Sequence, residues 1–252
     1  MGCNSFEYSP NQVFNQNSLK DLNAAALKKL TAATPKNDTI KVVLAGDTQR
    51  SYNEIPGLVK KVNSIDNLDL VLVAGDISEF GTLQEMDWYA KRLLEVNVPV
   101  ITVIGNHDLV ARGNEVYQRM FGELNFSFVY RGIKFVCHDT NSREYNFNGK
   151  VPDMEWLSKE MQPQQGVNGF IAVSHVPPFS LDFDQKLIDP YTKLFSQTDH
   201  FLASLHGHTH VYSAGPYKNS AFPYLVTGSA ETSEFILVKI INDQLTYERI
   251  FY

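Results

Sequence analysis

The chain has 252 residues, 43% of them hydrophobic, and a formal net charge of -6. That length supports a sizeable core in one α/β domain, and the acidic balance lacks the basic excess with which nucleic-acid binders meet a phosphate backbone, so a long nucleic acid is disfavoured. There is no run of about 18 apolar residues to span a bilayer, and two cysteines, Cys3 and Cys137, build neither a disulfide framework nor a thiolate metal site.

Residues 1–17 are rich in Asn, Gln, Ser and Pro and lack periodicity, which reads as a tether. Gly2-Cys3-Asn4-Ser5 resembles the mature start of a bacterial lipoprotein, with Cys3 as the lipid anchor of an extracytoplasmic protein. The competing reading is a surface arm with an incidental Cys on a soluble cytoplasmic protein. Ser18 suits an N-cap, and Leu19, Leu22, Ala26 and Leu30 recur at helical spacing until Pro35. Residues 1–39 are therefore expected to give a tether and one packing helix, ahead of a main domain over 40–252.

In that domain Ile40 to Ala45, Leu70 to Ala74 and Val98 to Ile104 are apolar on nearly every residue, as strands covered on both faces require. Helical stretches lie between them, around Glu54 to Ile65 and Leu83 to Glu95. Such alternation predicts a parallel sheet with right-handed crossovers. A helix near Asn114 to Phe121 leads to an expected hairpin, Phe126 to Tyr130 and Ile133 to Cys137, around Arg131-Gly132. A helix around Met154 to Met161 follows, then strands at Phe170 to Ser174 and Phe201 to Leu205. The end is strand-rich, with Tyr224 to Val226, Glu234 to Ile241 and Leu245 to Tyr252. Two packed sheets accommodate these strands better than one.

Polar clusters follow the apolar runs: Gly46-Asp47-Thr48-Gln49, Gly75-Asp76, Gly105-Asn106-His107-Asp108, Ser174-His175 and His206-Gly207-His208-Thr209-His210. The carboxyl ends of parallel strands share one edge, so clusters distant in sequence must meet there. Two carboxylates, an amide oxygen and three imidazoles without thiolate suit Zn, Mn or Fe better than Mg or Ca. So many donors exceed the needs of one ion. Asp76, in the middle cluster, is placed to bridge two, and a pair of ions outweighs the carboxylates and attracts an anion such as phosphate.

In this order the clusters resemble the calcineurin-like metallophosphoesterase family, whose signature runs Asp-x-His, Gly-Asp, Gly-Asn-His-(Asp/Glu), His and Gly-His-x-His. The resemblance implies a two-sheet β-sandwich flanked by helices, a four-layer α/β/β/α fold over roughly residue 40 to the C-terminus. It implies a first metal on Asp47, Asp76 and His210, and a second on Asp76, Asn106, His175 and His208. Gln49 stands where the family usually has a His ligand. An amide oxygen is the weaker donor toward transition metals, so a looser first site is expected. The implied reaction is hydrolysis of a small phosphate ester, monoester or diester, by a metal-bridging hydroxide. His107 would assist the leaving group and Asp108 would orient it. The alternatives are a non-catalytic metal-binding scaffold on the same fold, or a nuclease.

Some residues read better as structure. His138, His200 and His206 are expected to be structural, His206 although it adjoins the His208 cluster, and Asp47 and Asp76 could also cap the helices after their strands. Cys137 and His138 are neighbours on a strand and face opposite ways, which argues against a thiol-imidazole pair. Thr140-Asn141 could edge the site, with loop hydrogen bonding as the equal alternative. Tyr145, Phe147, Phe179 and Tyr212 are read first as packing beneath loops and second as a surface for a nucleobase or aryl group. Pro177-Pro178 is expected to stiffen the loop after His175.

Overall fold

β1 (Ile40–Ala45), β2 (Leu70–Val73) and β3 (Val100–Thr102) bury almost every side chain, as strands covered on both faces must. In the computed structural model, which describes residues 12–35 and 37–252, they pair in parallel in that order. Cys3 lies outside the described residues. The crossovers are α2 (Ile55–Asn63) and α3 (Leu83–Leu93). α3 opens on a reciprocal cap, in which Glu85 N donates to Thr82 Oγ1 and Thr82 N donates to the Glu85 carboxylate. Beyond β1 the sheet continues antiparallel through β10 (Glu234–Ile241) to β11 (Gln244–Phe251), giving the order β11-β10-β1-β2-β3.

After α4 (Gly113–Met120) the chain forms a hairpin of β4 (Phe126–Tyr130) and β5 (Ile133–Cys137). Its turn residues Arg131 and Gly132 both have positive φ, the backbone that matches the twist of paired strands. Then come α5 (Met154–Glu160), β6 (Gly169–Val173), α6 (Ile188–Gln197), β7 (Phe201–His206), β8 (Ser213–Gly215) and β9 (Tyr224–Val226). The second sheet runs β4-β5-β6-β7-β9-β8.

The sheets face each other across Val42, Leu44 and Leu72 on one side and Phe135, Ile171 and Leu205 on the other. α2, α3 and α4 cover the outer face of the first sheet through Val62, Met86 and Tyr117; α5 and α6 cover the second through Leu157, Tyr191 and Phe195. This is the expected four-layer arrangement. α1 (Leu22–Ala32) adds Ala26 and Leu30 to the inter-sheet core. Its Asn23 amide donates to Thr102 O and accepts from Thr102 N, both at 2.9 Å, so a side chain stands in for the strand missing beside edge strand β3.

Three expectations change. α1 starts at Leu22 rather than after Ser18, because Asp21 holds a left-handed backbone and Ser18 instead closes a turn onto Asn15 O. The strand expected over Val98–Ile104 narrows to Val100–Thr102, although Val103 and Ile104 stay buried. α6 was not expected, since Pro190 hides it. That proline occupies the first helical turn, where its missing N–H has no partner to lose, and Ile188, Tyr191 and Phe195 supply the buried stripe.

His138 and His206 are built into the second sheet's interior. His138 Nδ1 donates to Val136 O at 3.1 Å, and Nε2 accepts from the Tyr191 hydroxyl at 2.9 Å. His206 sits between Ser174 Oγ at 3.1 Å and Ser204 Oγ at 2.8 Å. Burial depresses His138 to about 4, whereas an unfolded histidine titrates at about 6.5. The unfolded chain therefore takes the proton first, and the contribution present above about pH 6.5 is lost as pH falls toward 4. The stability gap between parent and His138→Gln, from urea midpoints, is expected to shrink by about 3 kcal/mol from pH 7 to pH 4. A gap that does not change with pH would contradict this.

Candidate metal centre

Every expected ligand lies on a loop leaving the carboxyl end of a strand: Asp47 after β1, Asp76 after β2, Asn106 after β3, His175 after β6, His208 and His210 after β7. Two glycines let these loops nest. A Cβ on Gly75, where φ is +84°, would lie 2.7 Å from the Gly105 backbone, and one on Gly105 would lie 2.1 Å from Asp76 Oδ1. Asp47, Asp76, His208 and His210 all have positive φ, from 52° to 75°. Such backbone is costly for residues with a Cβ and gathers where function requires a fixed geometry.

One half of the centre is a triangle of donors on Asn106, His175 and His208, which Asp76 meets at His175. His175 Nε2 lies 3.0 Å from Asn106 Oδ1, 3.3 Å from His208 Nδ1 and 3.3 Å from Asp76 Oδ2, and His208 Nδ1 lies 3.0 Å from Asn106 Oδ1. The opposite ring nitrogens fix the tautomers. His175 Nδ1 donates to the Ala74 carbonyl at 2.6 Å, and His208 Nε2 donates to Asp182 Oδ2 at 3.1 Å. Once His175 Nε2 gives up its proton to an incoming ion, both ring nitrogens and the Asn106 oxygen present lone pairs to one another, with Asp76 beside His175. Donors about 2.1 Å from a common ion stand about 3.0 to 3.4 Å apart, so the spacing fits a transition metal. Asp182, itself paired with Arg143 at 3.0 Å, escaped the sequence reading, though a carboxylate behind a ligating imidazole is a recurrent device.

The other half is more open. Asp47, Asp76 and His210 offer ligand atoms within 4.8 Å of one another. The His210 side chain is 44% exposed, against 14% for His208 and none for His175. Gln49 reaches the same point: Nε2 donates to Asp76 Oδ2 at 3.0 Å and lies 3.2 Å from His210 Nε2. Its Oε1 is buried with no hydrogen-bond partner among the described residues. A half-turn of the amide exchanges the two atoms and presents the oxygen to an ion between Asp76 and His210.

The electrostatics are those of a site that takes up positive charge. Asp47 and Asp76 are each 1% exposed. Burial, aided by Asp76, raises the proton affinity of Asp47 despite nearby His175. Burial also works against the His175 cation, yet Asp76 and Asp47 override it and push His175 upward. Asp76, despite its burial, is held below the usual carboxylate range by His175 and His107, so protons on Asp47 and His175 occupy the place in the charge balance that metal ions would take.

His107 sits beside this centre without joining it. Its Nδ1 donates to Glu79 O at 3.1 Å and lies 3.5 Å from Glu79 Oε2, while its backbone N donates to Asp76 Oδ1 at 3.0 Å. Nε2 makes no hydrogen bond among the described residues. The expected orienting role of Asp108 is not what the geometry shows. Asp108 faces inward, accepting from Ile77 N, Ser78 N, Ser78 Oγ and Gly105 N at 2.8 to 3.1 Å, so it braces the loop after β2. His107–Leu109 is a single 3-10 turn, in which successive side chains point about 120° apart, so the two cannot share a direction. Glu79, three residues after Asp76 and paired with Arg50, orients His107 instead.

A sequence model of the calcineurin-like phosphoesterase family matches residues 40–212, which span all of these groups. The chain belongs to the calcineurin-like phosphoesterase family. Among curated protein sequences none matches it. Among solved structures, a dimetal phosphatase from Danio rerio is similar at 13% identity with a TM-score of 0.66, covering 84% of this chain and 96% of that one. GAP50, the anchor in the inner membrane complex of Plasmodium, is similar at 12% identity and a TM-score of 0.64, with 85% of each chain covered. A putative 5'-nucleotidase from Staphylococcus aureus matches at 11% identity and 0.54, covering 83% of this chain and 53% of that one. At these identities the likeness is one of fold. No described helix of this calcineurin-like phosphoesterase is long and apolar enough to cross a membrane.

Around the centre, Thr140 Oγ1 accepts from Val176 N at 2.8 Å, and Asn141 Nδ2 donates to Ile104 O at 3.2 Å, so this pair fastens loops. Tyr212 packs against the inter-sheet core beneath Arg249, whereas Phe147 and Phe179 are 41% and 40% exposed. For a calcineurin-like phosphoesterase with an amide at position 49, Gln49→His is expected to tighten the weaker of two metal affinities about tenfold, read by chelator competition. Loss of both metals at equal rates from the parent during dialysis would contradict the looser first site.

Proposed function

We propose that the protein hydrolyses small phosphate esters at a dinuclear transition-metal centre. The reading is carried by the donors of Asn106, His175 and His208, which lie within 3.3 Å of one another, with Asp76 at His175 and reaching the other half of the centre through Gln49. Asp47, Asp76, His210 and Gln49 would hold the other ion, and the mixed oxygen and nitrogen set favours Mn, Fe or Zn. When bound, the metals supply positive charge for the phosphoryl oxygens and lower the pKa of water.

The chain's own groups do the rest. Asp76 is shared by the two halves and also receives the His107 backbone N–H, so one carboxylate ties ion positions to the acid. With Nδ1 fixed on the Glu79 carbonyl, His107 can deliver a proton from Nε2 only as the doubly protonated ring, and the Glu79 carboxylate is its counter-ion. That proton goes to the departing oxygen.

Protein reconstituted with Mn, Zn or Fe, assayed against a panel of phosphate mono- and diesters, tests the reading. Hydrolysis that needs metal and stops with a chelator is expected. Two bound ions with no turnover of any ester would favour the scaffold.

A further inference from the structure

Thirteen large apolar side chains are exposed among the described residues. Six of them, Phe80, Val110, Phe147, Phe179, Leu181 and Val211, stand on loops at the metal-centre edge. The other seven are scattered over the N-terminal arm, α3 and outer strands. Solitary exposed apolar residues need no explanation, but a group gathered on the loops of one sheet edge does.

Two of the six mark a side. Phe80, 60% exposed, directly follows Glu79, whose carbonyl receives the His107 Nδ1 proton. Val110, 43% exposed, ends the short turn that His107 begins. Their turns touch: a Cβ on Gly81 would lie 2.3 Å from the Val110 carbonyl oxygen. Arg50, the cation on the Glu79 side, is already matched by Glu79. This wall therefore has apolar surface to offer, and its charge is spent. Across the centre, Leu181 precedes the Asp182 that holds His208, and the Phe179 ring meets Tyr217 edge-on at 5.4 Å.

The phosphoryl group belongs at the metals, so the esterified group must leave on the His107 side. We infer that this group is apolar and bulky, an aryl or long-chain alkyl alcohol, seated against Phe80 and Val110. The inference rests on the phosphoesterase reading and names the substrate class for it. In the reaction a water oxygen bonds to phosphorus and gives up a proton to solvent, the bond from phosphorus to the apolar alcohol's oxygen breaks, and His107 gives that oxygen its proton and regains one from solvent. Contact with the alcohol adds binding energy that a small polar alcohol cannot realise.

The test compares kcat/KM for naphthyl phosphate and decyl phosphate with that for glycerol 2-phosphate, in metal-loaded parent, Phe80→Ser and Val110→Ser. Intrinsic leaving-group reactivity cancels, because each variant is compared with the parent on the same esters. The apolar-to-polar ratio is expected to fall about tenfold in Phe80→Ser and less in Val110→Ser, for one apolar ester or both. Tyr247→Ser, on outer strand β11, is expected to leave it unchanged. An active parent whose ratio does not move in either variant overturns the inference alone. A metal-loaded parent inactive on every ester overturns the proposed function and this inference with it. Cosedimentation with phosphatidylcholine vesicles, lost in Phe80→Ser while the ratio stays fixed, would assign the rim to a lipid surface and also overturn it.

Discussion

Asp76→Ala is expected to abolish retention of both metals and to lower hydrolysis about 10³-fold or more. Asp76 Oδ2 faces His175 in one half of the centre and accepts from Gln49 in the other, while Oδ1 accepts the His107 N–H. Among the described residues no other side chain touches both halves and the acid. Asp76→Asn separates charge from shape. Asparagine tolerates the 54° φ at this position and keeps much of the hydrogen bonding, so the fold should persist while metal is lost. Stability without metal should fall, because, against the cost of burial, His175 and the His107 N–H hold the Asp76 carboxyl below the usual carboxylate range, and asparagine cannot pair with a charged His175. Metal content by mass spectrometry beside a urea melt reads both effects. Asp76→Asn that binds two ions as tightly as the parent would refute the bridging role.

His107→Ala should behave in the opposite way. Both metals are expected to stay, since none of the convergent donor distances involves the His107 ring, while kcat on an unactivated alkyl ester falls about 10²- to 10⁴-fold. The loss should be smaller on a nitrophenyl ester, whose departing oxygen needs no proton. That contrast separates a general acid from a residue that merely holds the loop. Glu79→Gln should show the same contrast more weakly, because the carbonyl that fixes Nδ1 remains and only the carboxylate is removed. If His107→Ala hydrolysed the alkyl ester at the parent rate, the assignment would fail.

Much of this was legible in the sequence, for a definite reason. Asp47, Asp76, Asn106, His175 and the His208-His210 pair each follow an apolar run, and parallel strands deliver their ends to one edge. What escaped depends on contacts between distant loops. Asp182 lies in a segment with no pattern of its own and matters only because it meets His208. Asp108 looked like the natural partner of adjacent His107, but a 3-10 turn sends neighbours in different directions, and Glu79 takes the place. α6 was hidden by Pro190, although its stripe of Ile188, Tyr191 and Phe195 was there to be read. The pairing of β1 with β10, nearly the whole chain apart, has no local signature, because periodicity gives a strand's faces and not its neighbours.

The most direct test of the dinuclear centre is a titration of metal-free protein with Mn or Zn, following ions bound per chain and the rate of ester hydrolysis together. Two ions per chain are predicted, the second weaker than the first, with turnover rising as the weaker position fills. Full hydrolysis by protein holding no metal, or a single ion at saturation, would contradict the account.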